Sequence, residues 1–205
     1  MVPPGQSADG FTPSRYLVAS VLRPDAVLAY HTALEVLGQA HAVSRDLYAL
    51  SSKPARTVAW NDRMFHYLGH PRNLRTSGRI HLGVVSLDIA GAPVQVTGPE
   101  RTLVDCLTRL NHAGGAEEAL VSLRGFPLFD FPALEQYLDA LQNPRVFAAV
   151  GAFLEQEAER LFVPGTLLTR LERCRPGHRT YLERSQRGGV FLKRWNLIVP
   201  RAFAG

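Results

Sequence analysis

The segment TGPERTLVDCL, residues 97–107, places Glu100, Arg101 and Asp105 within six positions. Three such charges would suit general acid–base work if their side chains converged on a cleft. Their spacing favours a plainer role. Thr97 and Glu100 have the S/T-x-x-E spacing of a capping box, in which the hydroxyl and the carboxylate each satisfy a free amide of a helix's first turn. Pro99 stands where a helix tolerates proline, and Glu100 faces the positive end of the helix dipole. Arg101 and Asp105 are i,i+4 neighbours, a pair worth ~0.2–0.5 kcal/mol. Leu103, Cys106, Leu107 and Leu110 then define a buried face, so a helix start explains every residue of the segment.

Other chemistry-bearing residues are read in the same way. His66 and His70 have the i,i+4 spacing of a helical metal pair, but Gly69 and Pro71 break the helix and no HExxH-type glutamate accompanies them. Cys174 and His178 could form a thiolate pair assisted by Arg173 and Arg175; Pro176 and Gly177 intervene, and no third group orients the histidine. There is no GxSxG, P-loop, GxGxxG or paired-carboxylate signature, and Gly188-Gly189 is too short to cradle a phosphate. The chain is expected to be non-enzymatic, with no cofactor and no metal.

The functional signal lies in the charge. Of 23 basic residues only Lys53 and Lys193 are lysines, so the charge is almost all guanidinium, the group that forks onto carboxylate and phosphate. From Arg160 to the C-terminus ten basic residues stand against Glu172 and Glu183, a net +8 within a chain of net +5, which leaves −3 for everything before. Arg170, Arg173, Arg175, Arg179, Arg184, Arg187, Lys193 and Arg194, interleaved with Tyr181, Phe191 and Trp195, form the candidate binding surface for nucleic acid or for an acidic protein face.

The elements that must position these residues follow from periodicity. At 205 residues and 46% hydrophobic the chain can bury a core in one domain or two small ones. Residues 1–14 read as a flexible arm. After RYLVASVL, a strand or short helix, Pro24 and Asp25 open an apolar pattern through Val27, Leu28, Leu34 and Leu37 that Gly38 closes, the mark of a helix. Strand-like runs follow at 46–52, 56–62, 63–68, 83–90 and 93–98, the last two flanking a tight turn at Gly91-Ala92. Helical patterns then occupy 100–110, 116–125, 132–141, 144–162 and 166–174. A late strand, WNLIVP, is a candidate to rejoin the sheet. The expected fold is α+β: a small, mostly antiparallel sheet over 15–98, a helical half over 99–175, and a basic segment over 176–205. Cys106 and Cys174 form no CxxC pair, and neither a signal peptide nor an apolar run of ~18 residues is present, so a reduced cytoplasmic setting without membrane contact is expected.

The order of these elements, with YHTALEVLG closing an early helix, VTGPERTLVDCL at the sheet-to-helix boundary and LKRWNLIVP near the end, resembles the antitoxin domain of the AbiEi family. The resemblance covers roughly residues 15–200. It implies an antitoxin of a bacterial two-gene, type IV abortive-infection system that neutralises a cognate AbiEii-like nucleotidyltransferase toxin and often represses its own operon. The family's N-terminal winged helix-turn-helix is expected to be missing here, since only MVPPGQSADGFTP precedes the matching region. The resemblance therefore implies toxin neutralisation more directly than operator binding. A DNA-binding autorepressor acting through the basic C-terminal surface is the alternative.

Overall fold

The computed structural model describes residues 13–183 and 188–203; the arm up to residue 12, and Arg184 and Arg187, lie outside the described residues. The fold is α+β, with the sheet in the N-terminal half and the helices in the C-terminal half. In chain order the first half comprises α1 (Arg15–Leu22), β1 (Val27–Leu28), α2 (His31–Val36), β2 (Leu47–Ser51), β3 (Arg56–Trp60), β4 (Arg63–Gly69), α3 (Arg72–Thr76), β5 (Val84–Ile89) and β6 (Ala92–Thr97). Its six strands run in the order β3-β4-β2-β1-β6-β5. The β1–β2, β3–β4 and β5–β6 pairings are antiparallel, whereas β1–β6 and β2–β4 are parallel.

Alternation sets the faces of this sheet. In RMFHYLG, Phe65 and Tyr67 are fully buried while Met64 and His66 point the other way, the period of two expected of a strand. Leu28, Leu47, Ala49, Phe65, Val94 and Val96 pack with Ala19 of α1, and the Tyr67 hydroxyl donates to the Ala19 carbonyl at 2.9 Å. The β5–β6 turn is Ala90-Gly91, one residue earlier than expected, with φ of 51° and 81°; both lie in the left-handed region that a two-residue hairpin turn demands.

The helix expected to open at Pro24 does not form. Val27 and Leu28 instead pair with β2 on one side and β6 on the other, and Tyr30 adopts φ 56°, so helix begins only at His31. The apolar run is a central strand, and a short run buried on both faces has no period that separates strand from helix. Gly38, at φ +72°, ends α2 as expected.

The second half contains α4 (Pro99–Thr108), a 3-10 turn (Leu110–Ala113), α5 (Ala116–Arg124), α6 (Phe131–Leu141), α7 (Pro144–Gln156) and α8 (Gly165–Arg173). α4 is the central helix. Every residue from Arg101 to Leu107 is buried, because α2, α5, α6 and α7 pack around it. Its start corrects the expected capping box: Gly98 is the N-cap and no side chain caps it. The Thr97 hydroxyl bonds that of Thr102 at 2.7 Å. Glu100 turns outward to accept the Asp130 amide at 2.8 Å, and Asp130 in turn caps α6 by accepting from the Ala133 amide at 3.0 Å.

The chain closes with β7 (Thr180–Tyr181), β8 (Val190–Leu192), β9 (Leu197–Val199) and a 3-10 turn (Arg201–Phe203). WNLIVP does not rejoin the large sheet; β9 lies between β7 and β8 in a separate three-stranded sheet. That sheet is held to the helices by Trp195, which is 1% exposed, lies over Gly151 of α7 and donates its indole N–H to Glu155 at 2.6 Å. No helix among the described residues is long and apolar enough to cross a membrane.

Candidate functional site

The charges that drew attention at residues 100–105 form a buried cluster. Arg101 is fully buried in the first turn of α4. Its Nη1 donates to the carbonyls of Ile80 and Leu82 at 2.7 and 2.8 Å, its Nε meets Asp105 Oδ2 at 3.3 Å, and its Nη2 lies 3.2 Å from His70 Nδ1. The guanidinium also stands 5.3 Å from the ring centroid of Tyr137, whose hydroxyl donates to Asp105 Oδ1 at 2.7 Å. Burial pushes the Asp105 carboxyl up, against the opposing pull of Arg101 and Tyr137. Burial and the adjacent Arg101 push His70 down to about 4, so its Nδ1 stays free to accept from the guanidinium. Each group is spent on another of the same cluster, which joins the loop before β5 to α4 and α6.

The remaining sequence candidates separate. His66 stacks on Tyr48 with ring centroids 5.0 Å apart and approaches Thr57, while His70 belongs to the Arg101 cluster. No group of three or more potential metal ligands occurs among the described residues. Cys174 ends α8, with no hydrogen bond to His178 among the described contacts.

Of the eight basic candidates, the structure employs three as braces. Arg170 binds Glu135 and, at 2.7 Å, Asp139, tying α8 to α6. Arg194 binds Glu155 and, at 2.9 Å, Glu172, tying the C-terminal sheet to α7 and α8. Arg175 donates to the carbonyl of Glu172 in its own turn. Trp195 is buried and unavailable for stacking. Arg173, Arg179 and Lys193 are exposed, and no carboxylate of the described residues lies within 4.0 Å of any of them. Arg179 lies 4.3 Å from the Phe191 ring centroid, which orients it outward beside Tyr181, itself 47% exposed. With Arg145 and Asn143, at the start of α7, these two residues line a shallow cleft.

A second cleft, of about 320 Å³, opens where α3, the end of α4 and the α6–α7 corner meet. Exposed Arg72, Asn73 and Arg109, together with Asn143 and the buried Tyr30, line it. Burial raises the Tyr30 hydroxyl pKa, so it serves as a neutral hydrogen-bonding group. Asn73 fixes the corner by donating to the Leu141 carbonyl. A third cleft, on the other side of Arg72 and Arg109, adds Lys53 and Arg75. These cations are too scattered in sequence to appear as a patch. The signal that could have revealed them is PRNLR, whose Arg72 and Arg75 fall three residues apart on one helix face.

No family model and no curated protein matches this chain. Among solved structures it is similar to the RV2827C protein from Mycobacterium tuberculosis, at 17% identity and a TM-score of 0.58, over 96% of this chain and 70% of that one. At that identity the likeness shows a shared fold, and it runs through nearly the whole of the described architecture.

Proposed function

We propose that this protein is the antitoxin of a two-gene, AbiE-type toxin–antitoxin system, acting in the cytoplasm as a non-enzymatic binding protein that neutralises a nucleotidyltransferase toxin. The observation that carries this reading is the setting of VTGPERTLVDCL. Within that stretch Arg101 and Asp105 belong to the buried cluster that joins sheet to helices, which supports reading it as a structural junction of the fold rather than as a catalytic site. The exposed Arg173, Arg179 and Lys193 support a contact with an acidic face of the toxin.

Co-expression tests the reading directly. The protein is expected to restore growth to cells expressing a nucleotidyltransferase encoded beside it; no rescue, together with no such neighbouring gene, overturns it. Reversing Arg173, Arg179 and Lys193 to glutamate is expected to weaken rescue without lowering the melting temperature.

The same three exposed cations favour a second reading, an operon autorepressor. A gel-shift titration on the protein's own promoter separates the two, since an operator should exceed unrelated DNA by ~10³ or more.

A further inference from the structure

The three clefts are one feature. The cleft holding Lys53 and Arg75 shares Gly69, Pro71, Arg72 and Arg109 with the central cleft, and the central cleft shares Asn143 with the one holding Arg145, Arg179 and Tyr181. The three adjoining clefts form a segmented groove from the turn after β2, past α3 and the end of α4, to the start of α7 and β7. Six cations line it: Lys53, Arg72, Arg75, Arg109, Arg145 and Arg179. None makes an ion pair among the described residues, whereas Arg15, Arg101, Arg124, Arg160, Arg170 and Arg194 elsewhere are each bound to a carboxylate. Asp105 is the one carboxylate lining the groove among the described residues, and its oxygens are committed to Arg101 and Tyr137.

We infer that this groove binds the phosphodiester backbone of a single-stranded nucleic acid. A row of cations set along a cleft, rather than spread over a convex face, follows a chain of evenly spaced anions, and Tyr181 at one end offers a ring on which a base can stack. The amide side chains of Asn73, Gln142 and Asn143 in the narrow central section supply hydrogen bonds to sugars or base edges. Arg179 is shared with the surface assigned to the toxin, but Arg72 and Arg109 are not, so this inference is tested on that pair and without a toxin.

Fluorescence anisotropy with labelled dT12, rU12 and the dT12·dA12 duplex, read across a salt series, decides it. The single strands are expected to bind more tightly than the duplex, with log K falling by about 0.7 per phosphate contacted for each decade of salt. Replacing Arg72 and Arg109 (R72E with R109E) should weaken dT12 binding by at least about tenfold, and R72Q with R109Q should lower the salt slope by about 1.4. The charge-matched control R45E with R201E, outside the groove, should bind as the parent does. The inference is overturned by any of four results: no salt-sensitive binding of dT12, equal affinity for the duplex, equal loss in the control pair, or displacement of dT12 by oligoglutamate of the same charge, which would make an acidic protein segment the occupant. Circular dichroism of the glutamine pair, expected to match the parent, separates lost binding from lost fold.

Discussion

Arg101 has no exposed surface, and its partners come from four separate stretches of chain. An exposed i,i+4 pair of its type would contribute only ~0.2–0.5 kcal/mol, but removing one member of a buried pair strands the other without water. Replacing Arg101 with alanine should therefore cost about 3–5 kcal/mol, by leaving Asp105 and the carbonyls of Ile80 and Leu82 unmatched; a urea midpoint within experimental error of the parent's would refute that role. Two buried histidines should give stability opposite dependences on pH. Burial lowers the His31 pKa, but Glu35 and Glu118, at 3.4 and 3.2 Å, more than offset that and raise it; its contribution is full below about pH 6.5 and lost as pH rises through the folded value. His70, depressed to about 4, is neutral in both states above pH 6.5. As pH falls from 6.5 towards 4 the unfolded chain takes up a proton that the folded chain refuses, a penalty of roughly 2–3 kcal/mol. Urea unfolding of His70→Gln across that range is expected to show a flatter acid limb than the parent; an unchanged limb means that His70 is not the group responsible.

Elements were legible where period and punctuation agreed. The five long helices and the β5–β6 hairpin follow from apolar residues at three- and four-residue intervals, or at every second residue, between Gly and Pro. They failed where an element's identity depends on a distant partner. Val27-Leu28 is strand because β2 and β6 enclose it, Glu100 holds the amide of Asp130, the cap of α6, rather than capping α4, and WNLIVP finds β7 and β8 instead of the large sheet. The candidate site was legible in composition but not in place: a count of charges along the chain cannot tell that Arg170 and Arg194 are paired while Arg72 and Arg109 are not. Gly151 shows how tightly one such unforeseen contact is built. Alanine would improve the propensity of α7 by about 1 kcal/mol, but its Cβ would overlap Cζ3 and Cη2 of the Trp195 indole. Overpacking of that kind typically costs about 1–3 kcal/mol, and backbone and ring have little room to part. Gly151→Ala is thus expected to lower the melting temperature and to shift Trp195 emission to the red; a more stable variant would show that the indole can move aside.

At the scale of the whole molecule, the question is whether sheet and helices are one cooperative unit. Leu34 of α2 and Leu74 of α3 are buried in the same apolar cluster as α4–α8 and Trp195, and the Arg101 cluster spans the loop before β5, α4 and α6. The halves therefore cannot part without opening that shared apolar cluster and taking the Ile80 and Leu82 carbonyls and His70 away from Arg101. The C-terminal sheet is tied into that unit by Trp195, Arg194 and the hydrogen bond from Gln156 to the Phe203 carbonyl. Such coupling predicts a single transition. Trp60 lies on the edge strand β3 and Trp195 in the C-terminal segment, so Trp60→Phe leaves Trp195 as the one tryptophan of the chain. Urea unfolding followed by Trp195 emission should then superimpose on unfolding followed by far-ultraviolet circular dichroism. Two separated midpoints, with Trp195 exposed first, would instead make the three-stranded C-terminal sheet a detachable flap on α7. In that case Arg179 and Tyr181 would move independently of Arg72 and Arg109, and the groove would close only when the flap is seated.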